Sequence, residues 1–224
     1  MARSISYNFE FKDGAPWNYV LEFDDQNVYV SKADDAPKPW THLDFHKCGH
    51  CPLNSTTSPQ CPVAKNLNKI VEDSKGTLSI TKAKVTVVTP ERTYSKECAT
   101  QDGLRSLFGM VMASSGCPRL DWLRPLARFH LPFADVDETL FRVLSLQLVE
   151  DYLLGKSSEK NAAATHLEKR YRDVERVNHT FIERIRSYCK ADADKNAIAA
   201  LDVYAQLFPF HLEDNFRALR ELFK

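Results

Sequence analysis

At 224 residues the chain is long enough for one large domain or two small ones, and its 43% apolar and 27% charged content is that of an ordinary globular protein. Thirty basic residues balance thirty acidic ones, which removes the overall basic surplus expected of a nucleic-acid or anionic-membrane binder and leaves another protein as the expected partner. The first residues lack the basic-then-apolar pattern of a secretory signal and no apolar run approaches the ~18 residues of a membrane span, so a cytoplasmic setting is expected, in which thiols stay reduced.

Taken in order, Ile5, Tyr7, Phe9 and Phe11 alternate with polar residues, Lys12-Asp13-Gly14-Ala15 supplies a turn, and Trp17, Tyr19, Leu21 and Phe23 alternate again. This pattern predicts an antiparallel hairpin, with Val28-Tyr29-Val30 as a short third strand. From Ala33 to Pro62 prolines interrupt a polar stretch, and a run this long without regular structure needs something to tie it down. Pro62 suits the first position of a helix whose buried face carries Val63, Leu67, Ile70 and Val71. Leu78 with Ile80, then Val85, Val87 and Val88, read as two further strands joined near Lys82-Ala83 and ended by Pro90. Thr100 is placed to cap a helix that carries Leu104, Leu107, Phe108 and Val111, with Gly116 as its left-handed stop.

Beyond Pro118 the pattern is helical throughout. A short piece over 120–129 breaks at His130-Leu131-Pro132-Phe133, and Asp135 with Glu138 opens a helix reaching about Gly155. Leu167, Tyr171, Val174, Asn178, Phe181, Ile185 and Tyr188 form the seam of a long helix, and two more helices are expected around 198–208 and 212–223. Strands first and helices after predict an α+β fold: an antiparallel β-rich part with a cysteine loop over 1–118, and an all-helical part over 119–224. Cys117 is placed to stitch the two into one continuous domain.

Six cysteines are present, three of them in the loop as Cys48, Cys51 and Cys61. A Cys-x-x-Cys turn points two sulfurs at one centre, the commonest start of a metal site. Cys51, Cys61 and Cys117 each precede proline, which removes a backbone donor and fixes the local chain direction. The expected ligand set is therefore Cys48, Cys51, Cys61 and Cys117, with His46 or His50 as alternative ligands. Four thiolates suit tetrahedral zinc, and they suit a [4Fe–4S] cluster as the alternative cofactor. A redox dithiol fits less well, because the Cys-x-x-Cys is followed by Pro52 and polar loop rather than by a helix. Cys189 reads as a packed residue in the helical half, and Cys98 falls in what reads as a charged turn and has no assigned role.

Arg124, Arg128, His130, Glu138 and Arg142 gather around the predicted helix break. Such a set could bind an anion or move a proton. The plainer reading has Glu138 capping its helix and pairing with Arg142, and His130 satisfying the turn. Asn178 in the seam reads as a register residue, and His166, His179 and His211 as surface or helix-end residues. There is no phosphate-binding glycine motif and no Gly-x-Ser-x-Gly elbow among only seven glycines. A metal-stapled binding or regulatory protein is favoured over an enzyme.

Trp40 to His46, Cys48, Cys51-Pro52-Leu53 and Cys61-Pro62-Val63-Ala64 together resemble a family of uncharacterised bacterial proteins with no established activity. Ser115-Gly116-Cys117-Pro118, Phe129 to Phe133 and Glu138-Thr139 continue the resemblance over most of the chain. It implies that the Cys-Pro elements and the His-Leu-Pro-Phe turn belong to one scaffold, and it implies no substrate or reaction.

Overall fold

A computed structural model describes residues 3–30, 37–156 and 162–188, with 195–196, 198–199, 219 and 221–222. The alternating N-terminal segments become β1 (Arg3–Phe11) and β2 (Trp17–Phe23), followed by β3 (Tyr29–Val30), β4 (Lys82–Val88) and β5 (Thr93–Ala99). They form one sheet in the order β3-β2-β1-β4-β5, with every neighbouring pair antiparallel. Period-two patterning sets the register: Tyr7 lies opposite Tyr19 on one side and Val87 on the other. Ile5, Tyr7, Phe9, Leu21, Phe23, Val85 and Val87 all bury on a single face. Gly14 turns the first hairpin at φ +129°, a conformation that L side chains rarely adopt.

The region after α1 (Pro62–Ser74) departs from expectation. Leu78 and Ile80 are not in a strand; they sit exposed in the turn before β4, which itself includes Lys82 and Ala83. The segment holding Cys98 is not a charged turn but the edge strand β5, paired along its length with β4. Cys98 is its only fully buried side chain, so alternation in the sequence is drowned by Ser95, Lys96 and Glu97 on a solvated edge. Thr100 opens α2 (Thr100–Ala113) from inside the helix, with its hydroxyl on the Thr81 carbonyl rather than capping.

Pro62 occupies the start of α1, and Val63, Leu67, Ile70 and Val71 are buried as the spacing requires. Packing of α2 on the sheet depends on Gly103: a Cβ there would stand 2.6 Å from Phe9 Cε1 and 2.9 Å from Val85 Cγ2. After Gly116 (φ +80°) the chain turns into α3 (Arg124–Arg128), breaks at 130–133, and enters α4 (Val136–Leu153) through a complete Asp135/Glu138 capping box. The seam residues lie on α5 (Ala162–Tyr188), where Leu167, Val174, Phe181 and Ile185 are buried. The buried side chains of sheet and helices form one cluster, continuous across position 118 through Cys117 and Leu120. Most of the two helices expected after 198, with Cys189 and His211, lies outside the described residues. Among those described, no helix is long and apolar enough to cross a membrane.

The proline-broken loop is tied down at its base. Pro39–Thr41 forms a 3-10 turn, His42 bridges to Gln60, the Leu43 amide donates to Pro59 O, and the Cys61 amide donates to Thr41 O at 2.8 Å.

Candidate metal centre

Three separate segments deliver the cysteines. The Cys51 amide donates to the Cys48 carbonyl at 2.9 Å, closing the Cys-x-x-Cys turn. Cys61 is the extended residue at the N-cap of α1, where the positive end of the helix dipole favours an anionic ligand. Cys117 follows the left-handed Gly116. All four line one cavity of about 20 Å³, walled on its far side by Val177, Thr180, Phe181 and Arg184 of α5. Cys48, Cys51, Cys61 and Cys117 are free thiols, as is Cys98. A void of that size holds about one water-sized occupant.

At Cys48 and Cys117 nearby polar groups favour thiolate, while burial opposes it. Burial pushes the Cys48 thiol above its ordinary value and neighbouring Cys61 adds to this, against a hydrogen bond from Thr180 and the charge of Arg184. Burial drives Cys117 up to about 12, opposed by hydrogen bonds from the backbone amides of Arg119 and Leu120. Amide and hydroxyl donors aimed at sulfur are the outer partners that orient metal-binding thiolates. Among the described residues no group of three or more His, Cys, Asp or Glu side chains stands close enough together to hold a metal ion as placed.

Two arginines hold the loop in place. Arg184, only 2% exposed, donates from Nη1 to the carbonyls of Trp40 (2.6 Å) and His42 (2.7 Å), and from Nη2 to those of Leu43 and His46 (3.2 Å each). Its guanidinium also stacks over Phe45. Arg119 donates from Nε and Nη2 to the His50 carbonyl and from Nη1 to Asp173 of α5. The Cys48–Cys51 turn, the Cys117 segment and α5 are thereby cross-linked. Neither alternative ligand lines the thiol cavity. His50 turns its Nε2 towards the Asp173 carbonyl at 3.2 Å, and His46, at φ +45°, packs its ring against Phe45.

Sequence reasoning missed Arg184 and Thr180. The available signal for Arg184 was a charged residue at a seam step, three after Phe181 and four before Tyr188.

The second polar set disperses. Arg124 pairs with Asp121, Arg128 lies 4.0 Å from Glu91, and both line a pocket at Trp122 and Phe129. Glu138 completes the α4 cap. Arg142 donates from Nη2 to the carbonyls of Leu126 and Phe129, securing the end of α3. His130 bonds not to the turn backbone but to the Tyr7 hydroxyl at 2.5 Å, which also meets Ser106 Oγ. His130 and Arg142 line a different cavity from the pocket at Arg124 and Arg128.

The chain belongs to a family described as a domain of unknown function, DUF6901, whose model matches residues 5–224. No curated protein and no solved structure matches it.

Proposed function

We propose that this chain is a non-catalytic binding or regulatory protein in which Cys48, Cys51, Cys61 and Cys117 hold one zinc ion, acting with a protein partner in the reducing cytoplasm. The observation that carries this reading is that four thiols, three from one loop and one from the distant Cys117, line one cavity. Four cysteine donors fill tetrahedral zinc and leave no open position for substrate, the mark of a structural rather than a catalytic site. A void of about 20 Å³ suits a single ion better than the eight core atoms of a [4Fe–4S] cluster. Bound zinc would act as a staple, tying the proline-broken loop to α5 and to the segment after α2. Arg184 and Arg119 already hold that loop through its backbone carbonyls, and Thr180 hydrogen-bonds the Cys48 sulfur.

Elemental analysis of freshly purified protein tests this. One zinc per chain is expected, and Cys117→Ser should lower zinc content and melting temperature together, because metal binding and folding are linked. A brown protein carrying iron and acid-labile sulfide would replace zinc with a cluster. Unchanged metal content in Cys117→Ser would remove that residue from the ligand set.

A further inference from the structure

We infer that the outer face of α4 is a self-association surface, on which two copies of this chain pair as an antiparallel two-fold dimer. Leu140, Val143, Gln147 and Asp151 form the buried side of the helix. Opposite them, at 3.6 residues per turn, Phe141, Ser145, Leu148 and Tyr152 step by four, three and four along a second seam, with Val149 and Leu153 beside it. The apolar members of this face, with Leu154 just past it and Phe129 at the end of α3, are between 46% and 85% exposed. Phe129, Val149, Leu153 and Leu154 line one pocket, so the patch runs from α4 onto α3.

A helix that is apolar on opposite sides is ordinarily covered on both. Taking a large apolar residue at about 200 Å² when fully exposed, this patch comes to roughly 800 Å². That exceeds the ~300–600 Å² patch of a typical monomer and matches the ~800 Å² that each partner brings to a stable complex. Ile198 and Leu219, from the C-terminal stretch, bury in the same core cluster as Leu140 and Val143, so these two are committed to the core.

The pattern of the face is self-complementary. A two-fold axis crossing α4 between Leu146 and Gln147 sets Phe141 of one copy opposite Tyr152 of the other, Ser145 opposite Leu148, and Asp137 opposite Lys156. Ring then meets ring, large meets small, and acid meets base. Asp137 and Lys156 are both exposed, although Lys156 also bonds Glu150 of its own chain. Antiparallel packing further joins opposite ends of the two helix dipoles, whereas parallel packing would set like charges together. Such an isologous contact closes at two copies. No residue of α4 lines the thiol cavity, so the inference stands apart from the zinc proposal.

Sedimentation equilibrium of the purified full-length chain tests this. A species of twice the 25.6 kDa chain mass is expected, with a dissociation constant of about 10 μM or below. Leu148→Glu buries a charge at the centre of the seam and should weaken the dimer at least about 100-fold, with the far-UV circular dichroism unchanged. Tyr152→Glu should do the same from the most exposed position. Val20→Glu, at an exposed valine of the sheet, should leave the dimer as it is. Asp137→Lys should weaken pairing several-fold, since it acts twice across the axis, and adding Lys156→Glu should restore it to within about twofold. A native chain that stays monomeric at about 100 μM, or folded Leu148→Glu and Tyr152→Glu chains that still dimerise, would overturn the inference. A double reversal no tighter than Asp137→Lys alone would overturn the antiparallel pairing.

Discussion

Arg184 Nη1 donates to the carbonyl of Trp40 at 2.6 Å, joining positions 144 apart in the chain. The same guanidinium serves three more carbonyls of the loop, and Trp40 is in turn fixed by its indole donating to Asn68 of α1 at 2.9 Å. One side chain on α5 therefore sets where the cysteine loop begins. Arg184→Leu leaves these buried carbonyls without donors and is expected to cost about 3 kcal/mol or more, since charged hydrogen bonds contribute roughly 1.5–3 kcal/mol each. Arg184→Lys keeps the charge but not the planar fork and should recover only part of the loss. Urea unfolding of the three proteins measures this; a Leu variant within about 1 kcal/mol of the parent would mean the carbonyls find other donors.

Gly103 lies inside α2, where alanine would ordinarily stabilise a helix by about 1 kcal/mol. The Phe9 ring and Val85 occupy the space a Cβ needs, and forced overpacking of a core costs roughly 1–3 kcal/mol. Gly103→Ala is therefore expected to destabilise, opposite in sign to its propensity. A raised melting temperature in that variant would show that α2 slides off the sheet at little cost.

Acid should weaken the fold through His130. Burial, followed by the charges of Arg142 and Arg3, pulls its imidazole from an ordinary 6.5 down to about 3. Between those values the unfolded chain binds the extra proton. Stability is then complete above pH 6.5 and falls as pH drops towards 3, by at most about 1.4 kcal/mol per pH unit from this group. His130→Gln should flatten that slope. Glu150, held down to about 2 chiefly by hydrogen bonds from Arg170, loses its contribution in a lower window, as pH falls from 4.5 towards 2. Urea midpoints for the parent and variant at about pH 7, 5.5 and 4.5 separate the two groups; parallel profiles would count against His130 as the titrating group.

At the start of α4, Asp135 and Glu138 reciprocally bond each other's backbone amides. Glutamine serves the second position of such a box as well as glutamate. Glu138→Gln should thus leave stability within about 0.5 kcal/mol, whereas Asp135→Ala should cost about 1 kcal/mol. Thermal unfolding decides; a large loss in Glu138→Gln would point to a need for its charge.

The hairpin, the start of α1, the α4 cap and the α5 seam are legible in the sequence because each is written in neighbouring residues: alternation, proline at a first turn, a capping pair, steps of three and four. β5 is not, since an edge strand with one buried cysteine carries almost no alternation. The convergence of Cys48, Cys51 and Cys61 with Cys117 is half-legible, as the Cys-Pro pairs are local but their meeting is tertiary. Arg184 and Thr180 lie beyond local pattern, because what defines them is the loop that packs opposite. The arginine cluster around His130 illustrates the converse: nearness in sequence sent Arg124 and Arg128 to a different pocket from His130 and Arg142.

X-ray absorption at the zinc edge of the purified protein tests the four-cysteine centre most directly. Four sulfur neighbours at about 2.3 Å, with one falling away in Cys117→Ser, is the expected result. A shell containing nitrogen or oxygen, or protein that purifies without zinc and takes up none, would contradict it.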